Sequence, residues 1–251
     1  MGQMRFGTMR AAAAALVAWA ACSGAAHAEV AAADPFDVAM RQCLARRDRS
    51  STAGQIQCMD EARQQWQTVM DGAYQRLANG PAPADAKRGW QESQRRWLAW
   101  RKDEAHLLKA VYETTRGTMY AMAGADMQLQ PVRDRALALR AAADRYGQPA
   151  AQAGVRSGAP GGSPNDDPVR RVRPCEQDAA CEHALFDLNR YYQKLRRKMP
   201  AHSASTLMRA QRAWVAYRDA TTPLVGEEGR IDLIGARIAT MKRLSETAGN
   251  K

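Results

Sequence analysis

Hydrophobic side chains recur at helical spacing in two separate regions of the chain. In the second region they step by three and four residues through three successive segments: Leu185, Leu188, Tyr192, Leu195 and Met199; Leu207, Ala210, Trp214, Tyr217 and Thr221; Ile231, Ile234, Ile238 and Met241. Side chains at this spacing share one face of an α-helix. Pro200 separates the first two segments, and Pro223, Gly226 and Gly229 separate the last two. The pattern predicts an antiparallel three-helix unit with short connections.

The first region repeats this plan with longer segments. Its apolar positions are Met59, Ala62, Trp66, Val69, Ala73 and Leu77; Trp90, Trp97, Trp100, Leu107 and Val111; and Val132, Ala136 and Leu139. No run of residues alternates with a period of two, so no strand is predicted. We therefore expect an all-α fold made of two small antiparallel three-helix bundle domains.

A segment rich in glycine and proline lies between the two regions. Residues 147–174 contain five Gly and five Pro, and no periodic apolar face runs through them. This composition is typical of a flexible linker. It places an N-terminal lead at 29–42, the first domain at 43–146 and the second at 175–248.

The two domains also resemble each other in sequence. The first contains Tyr74, Leu77, Gln94, Trp97, Arg101 and Asp103, and the second contains, in the same order, Tyr192, Leu195, Gln211, Trp214, Tyr217, Arg218 and Asp219. Two matching blocks in the same order indicate a duplication. We call residues 43–146 copy 1 and residues 175–248 copy 2.

The first 28 residues have the pattern of a secretory signal peptide. Two arginines, Arg5 and Arg10, precede an apolar run from Ala11 to Ala21, and Ala26-His27-Ala28 offers small residues for cleavage. The pattern predicts export, to the periplasm or the medium. Lipidation of Cys22 is the alternative, disfavoured because Trp19 stands where a lipoprotein signal usually has leucine.

Removing that segment leaves four cysteines, Cys43, Cys58, Cys175 and Cys181. An even number in an exported protein indicates disulfides, since the compartment is oxidising. Four cysteines allow three pairings, and proximity along the chain favours Cys43–Cys58 and Cys175–Cys181. Their spacing does not suit a zinc site.

The chain is basic, with 37 Lys and Arg against 26 Asp and Glu and a net charge of +11. The charge is spread over both copies, and the densest clusters are Arg170-Arg171-Val172-Arg173 and Arg196-Arg197-Lys198. These clusters are either a solvated basic face or a surface that attracts an anionic envelope polymer or lipid surface. No nucleic-acid partner is predicted for an exported chain without a nucleic-acid-binding motif. No transmembrane helix is expected after the signal peptide.

Nothing in the sequence forms a catalytic constellation. His106, His183 and His202 lack metal-binding spacing, and neither a Gly-x-Ser-x-Gly elbow nor a phosphate-binding glycine loop is present. We therefore predict no catalytic residue, no metal, no cofactor and no enzymatic activity. The Trp and Arg residues of the repeated motif could form a binding surface. Because Trp97 and Trp214 lie on the apolar stripes, a structural role is favoured for the motif.

The motif resembles a known family. A cysteine, a Tyr-x-x-Leu helix, Gln-x-x-Trp-x-x-aromatic-Arg-Asp and a final helix with an arginine are similar to the N-terminal domain of LprI-type lysozyme inhibitors. The final-helix arginine is matched by Arg237 in copy 2 and by Arg133 in copy 1. The resemblance implies exported bacterial helical domains that bind and inhibit lysozyme, and it defines no inhibitory residue.

Two kinds of partner remain open at this point. Lysozyme, or another envelope protein, is the partner that the resemblance implies. Animal-type lysozymes are strongly basic, so a local acidic patch would have to dock them, and Glu227, Glu228 and Asp232 are one candidate patch. The alternative is a cell-envelope scaffold or a protein that binds an anionic polymer or lipid.

Overall fold

The computed structural model describes residues 33–147 and 171–250. The prediction of an all-α fold is confirmed, because these residues form α-helices and short 3-10 helices and no strand. Within them the α-helices are α1 (Pro35–Leu44), α2 (Thr52–Asn79), α3 (Ala84–Tyr112), α4 (Thr118–Gly147), α5 (Ala179–Lys198) and α6 (Ala204–Thr247). The 3-10 helices are Arg47–Arg49, Cys175–Gln177 and Ala201–Ser203.

A kink at Gly226 divides α6 into an N-terminal arm (204–225) and a C-terminal arm (227–247). Its backbone angles, φ 80° and ψ −169°, lie in a region that residues other than glycine rarely adopt. The break predicted between the second and third apolar segments of copy 2 is therefore a single-residue kink. The stripe of the N-terminal arm is buried as predicted, from Leu207 to Thr221.

Helix α1 lies in the segment that the sequence indicated only as an N-terminal lead. Asp34 caps it by accepting a hydrogen bond from the Phe36 backbone N–H at 3.1 Å, and Pro35 occupies the first helical position. Both residues suit a helix start. Phe36 then packs edge-to-face on Trp66 of α2, with 5.4 Å between ring centroids.

Two ion pairs hold α1 against α4. Arg133 donates to the Asp37 carboxylate, with its Nη2 2.6 Å from Oδ2, and Arg140 Nη2 lies 2.6 Å from Asp34 Oδ2. The hydrogen bonds and positive charge of Arg133 lower the pKa of the Asp37 carboxyl. Residues 34–42 of the predicted N-terminal lead are thus part of the folded unit.

Copy 1 contains three long helices that alternate in direction, of which α2 and α4 pack closely on each other. Helices α2 and α4 run parallel, since Ile56 lies near Gly124 at one end and Arg76 pairs with Asp144 toward the other. Helix α3 runs antiparallel to α4: Tyr112, near the end of α3, hydrogen-bonds Met127, and its earlier residues contact residues further along α4.

The sequence left the placement of the two copies open, and the structure packs them together. The described residues from Asp34 onward belong to one compact unit, and their buried apolar side chains form one continuous cluster. Helix α3 of copy 1 packs along the N-terminal arm of α6 in copy 2. The contact is close: a Cβ added to Gly89 of α3 would lie 2.6 Å from Leu224 Cδ2. Both copies therefore contribute to the same core.

Several predictions concern residues outside this description. The signal peptide at 1–28, Cys22 and most of the linker, residues 148–170, lie outside the described ranges. The domain boundaries and the flexibility of the linker stay predictions. No helix in the described ranges combines the length and apolarity needed to cross a membrane.

Candidate functional site

The repeated motif lies where α3 crosses the N-terminal arm of α6. Trp97, Gln94, Trp214 and Tyr217 are all buried there. They come from two regions that are far apart in sequence. The contact between α3 and the N-terminal arm of α6, which we call the crossing, brings them into one cluster.

The crossing has local two-fold symmetry. Trp100 and Tyr217 occupy equivalent positions of the two copies, and their rings stack with centroids 5.5 Å apart and planes 1° from parallel. Ser93 and Thr221 are joined by a hydrogen bond of 2.7 Å to one side of this pair. Glu104 is the copy 1 equivalent of Thr221. Because α3 and the arm run antiparallel, Glu104 lies on the other side of the Trp100–Tyr217 pair, where it faces copy 2. The axis of the repeat therefore passes between Trp100 and Tyr217.

Each copy supplies one buried arginine to the crossing. Arg135 of α4 donates from Nε to Gln94 Oε1 at 2.8 Å, and Arg237 of α6 donates from Nε to Gln211 Oε1 at 3.1 Å. Since the two glutamines are equivalent, so are the two arginines. The alignment of Arg133 with Arg237 was wrong, because Arg133 pairs with Asp37 at the other side of α4.

The two arginines reach across the axis onto the aromatic rings of the opposite copy. The guanidinium carbon of Arg135 lies 5.5 Å from the centroid of Tyr217, and that of Arg237 lies 5.9 Å from Trp100. At these distances a cation is attracted to the face of an aromatic ring. The motif thus ties copy to copy as well as helix to helix.

The charges in the two halves of the crossing differ. Arg237 Nη1 donates to Glu104 Oε1 at 2.7 Å, and both side chains are almost fully buried. Arg135 instead donates from Nη2 to the Ser93 hydroxyl at 3.0 Å. In the described part of the chain, no carboxylate lies within salt-bridge distance of Arg135, and burial lowers the pKa of its guanidinium. Arg237 therefore has a counter-charge in the crossing, and its equivalent Arg135 has none.

Sequence reasoning missed Glu104, Arg135 and Ser93. A signal was present, because Arg237 stands between Ile234 and Met241 at helical spacing, on the apolar stripe itself. A charged residue on such a stripe is buried and needs a partner. The spacing could have predicted that Arg237 is buried, but its partner comes from the other copy.

The remaining motif residues frame the crossing. Arg101 and Arg218 lie over the rings of Trp97 and Trp214, at 5.9 and 5.4 Å from the centroids. Leu77 and Leu195 are buried, Tyr74, Tyr192 and Asp103 are half-buried, and Asp219 is exposed and paired with Arg218. These positions agree with a structural role for the motif, which stays a prediction.

The cysteines lie in the two pairs that proximity favoured. Cys43 and Cys58 have sulfurs 1.94 Å apart and join α1 to α2. Cys175 and Cys181 have sulfurs 1.88 Å apart and join the Cys175–Gln177 turn to α5. Each bridge closes a short loop and restricts the unfolded chain, which favours the folded state.

The end of the predicted linker is bound at the kink of α6. Arg173 donates to both carboxylate oxygens of Glu227, at 2.9 and 2.6 Å, and Arg230 donates to the Arg173 carbonyl at 2.6 Å. Glu227 therefore does not offer a free carboxylate, whereas Glu228 and Asp232, the other members of the candidate acidic patch, are exposed.

This contact leads to a prediction about pH. The Arg173 side chain and backbone N–H donate hydrogen bonds to Glu227 and lower its pKa from 4.5 to about 2. A folded-state pKa below the unfolded one means that the contact stabilises the segment above pH 4.5 and is lost as the pH falls through about 2. An NMR titration of the Glu227 carboxyl is expected to show a midpoint near 2. Arg173→Gln should return the midpoint toward 4.5.

Arg171→Gln is the matched control for this titration. Arg171 is exposed and belongs to the same basic cluster, but it makes no contact with Glu227 among the described hydrogen bonds. Its replacement should leave the midpoint of Glu227 unchanged. An unshifted wild-type midpoint would contradict the contact.

Other candidate chemistry is sparse in the described residues. Within residues 33–147 and 171–250, no three His, Cys, Asp or Glu side chains are grouped to hold a metal ion. Arg196, Arg197 and Lys198 are exposed in the last turn of α5, where positive charge opposes the negative end of the helix dipole.

These features define a duplicated helical protein with two disulfides and a core to which both copies contribute. The family model described as lysozyme inhibitor LprI matches residues 36–139 and 176–247, one stretch in each copy. The chain belongs to the LprI lysozyme inhibitor family.

A solved relative and the curated proteins complete the comparison. The chain is similar to an uncharacterised protein from Burkholderia thailandensis of known crystal structure, with 71% sequence identity and a TM-score of 0.79. The match covers 87% of this chain and 100% of that one. None of the curated proteins matches this chain.

Proposed function

We propose that this chain is an exported, non-enzymatic protein that binds and inhibits lysozyme in the cell envelope. The observation that carries the proposal is the match of the lysozyme inhibitor family to both copies. The signal-peptide pattern and the two cysteine pairs support export into an oxidising compartment.

Asp219 is the one exposed residue of the repeated motif, so we expect the partner to bind exposed side chains outside the motif. Phe186 of α5 is 68% exposed, the largest exposure among the bulky apolar side chains of the described residues. The exposed Glu182 stands one helical turn before it. An exposed aromatic side chain beside a carboxylate complements a basic protein, because aromatics dominate binding energy and charge steers encounter.

A lysis assay tests the function directly. Purified protein titrated into lysozyme and a cell-wall suspension is expected to slow the loss of turbidity, with saturation near equimolar ratio. Unchanged lysis at a large molar excess would remove lysozyme inhibition from the account and leave the fold untouched.

Variants of exposed residues locate the contact within the same assay. Phe186→Ser should weaken inhibition at least tenfold, equivalent to about 1.4 kcal/mol of binding energy. Met119→Ser is the matched control, since Met119 is 64% exposed but lies in copy 1. Equal inhibition by both variants would place the lysozyme contact away from Phe186.

A further inference from the structure

A cavity of about 330 Å³ opens beside the crossing. It lies between α3, α4 and both arms of α6, so that residues of both copies line it. Its walls are mainly apolar and include the rings of Trp97, Trp100, Trp214 and Tyr217. A concave apolar site of this size with a few polar groups is typical of a small-molecule site.

The charged groups that line this cavity are three arginines, Arg135, Arg237 and Arg243, and one carboxylate, Asp134, which is exposed and lies 3.8 Å from Arg133. Arg135 and Arg237 both line it, and both side chains are almost fully buried. Among the described residues, Arg135 Nη1 and Arg237 Nη2 are buried and have no hydrogen-bond partner. Buried polar groups are nearly always hydrogen-bonded, so two unpaired donors at one cavity indicate a missing acceptor.

The partners of the three cavity arginines favour an anionic acceptor. Glu104 neutralises Arg237, but in the described part of the chain Arg135 has only neutral partners, Gln94 and Ser93. A third arginine on the wall, Arg243, pairs with Asp126 outside the cavity lining. A buried cation without a counter-charge is costly, and an anionic group beside it would offset that cost.

We propose that this cavity binds a small organic anion, a carboxylate with an aromatic or aliphatic body. Its carboxylate lies beside the guanidinium groups of Arg135 and Arg237, and their unpaired nitrogens, which have almost no solvent-accessible surface in this structure, turn toward it on binding. The body packs against the tryptophan and tyrosine rings. This site is independent of the lysozyme-binding surface around Phe186.

Naphthalene-2-carboxylate is a suitable probe, with naphthalene-2-methanol as its neutral counterpart. In an NMR titration, the acid should shift the indole N–H signals of the cavity-lining residues Trp97, Trp100 and Trp214. The signal of Trp66 should stay unchanged, because Trp66 does not line the cavity. The acid should bind with one-to-one stoichiometry and at least tenfold more tightly than the alcohol. Equal binding of acid and alcohol, or no binding by the acid, would overturn the proposal.

A pair of variants tests the location of the site without changing the buried arginines, whose replacement could prevent folding. Ala236 lines the cavity but is itself exposed, so Ala236→Trp should fill the opening without disturbing the core. We expect this variant to lose binding of the acid at least tenfold. Ala99→Trp, at an exposed position of α3 outside the cavity lining, should bind as the wild type does. Equal affinities of the two variants would also overturn the proposal.

Discussion

Replacing Glu104 with leucine is expected to lower the free energy of unfolding by about 3–5 kcal/mol, the range found when one partner of a buried ion pair is removed. Glu104 is 2% exposed and Arg237 is 0% exposed, so the substitution leaves the guanidinium without a counter-charge and without water. The loss should be measured by denaturant unfolding at equilibrium.

Two further variants separate this effect from a general effect of the substitution. Glu92→Leu removes a carboxylate from the same helix, but Glu92 pairs with Arg95 and Arg96 at the surface, where water screens the charges. The decrease in the free energy of unfolding should therefore be much smaller for Glu92→Leu than for Glu104→Leu. The double variant Glu104→Leu with Arg237→Met should be more stable than Glu104→Leu alone, because an apolar pair replaces the orphaned charge. A double variant less stable than the single one would contradict this assignment.

Truncation of Trp100 to alanine should also cost about 3–5 kcal/mol of unfolding free energy, as large-to-small changes of buried aromatics do. Trp100 is only 7% exposed, and it stacks on Tyr217 across the axis between the copies. The substitution removes this stacking and leaves a void in a core that both copies share.

Leu98→Ala is the matched control for the Trp100 variant. Leu98 stands two residues earlier on α3 and is 53% exposed, so its truncation should change stability by less than about 0.5 kcal/mol. Thermal unfolding followed by circular dichroism compares the two. Similar melting temperatures for Trp100→Ala and Leu98→Ala would show that the stacked pair does not hold the copies together.

The helices were predictable from the sequence because their apolar stripes are regular. Stripes such as Leu207 to Thr221 are buried as the spacing predicted. Helix α1 was missed because it has no long stripe, although Asp34-Pro35 is a good helix start. Short helices of this kind depend on contacts with the rest of the protein, here with Trp66 and Arg133.

The crossing was harder to predict because its partners come from different copies. Periodicity shows which face of a helix is buried but not which helix covers it. The Glu104–Arg237 pair spans 133 residues, and no local pattern links its members. The error at Arg133 has a simple cause: the Gln–Arg pair spans 41 residues in copy 1 and 26 in copy 2, because copy 1 has longer helical segments on both sides of its turn than copy 2 has on both sides of the kink at Gly226.

The shared core also changes how the duplication is understood. Two copies joined only by a linker would each need a complete core, whereas here α3 of copy 1 covers the N-terminal arm of copy 2. The buried arginines Arg135 and Arg237 each lie over an aromatic ring of the opposite copy. Each copy therefore completes the core of the other.

Calorimetric unfolding of the wild type and of Glu104→Leu tests this shared core most directly. Because both copies contribute to one core, we expect a single transition in which the calorimetric and van't Hoff enthalpies agree. The substitution in copy 1 should move that whole transition to lower temperature. Two transitions, of which Glu104→Leu moves only one, would show that the copies unfold independently and would contradict the account.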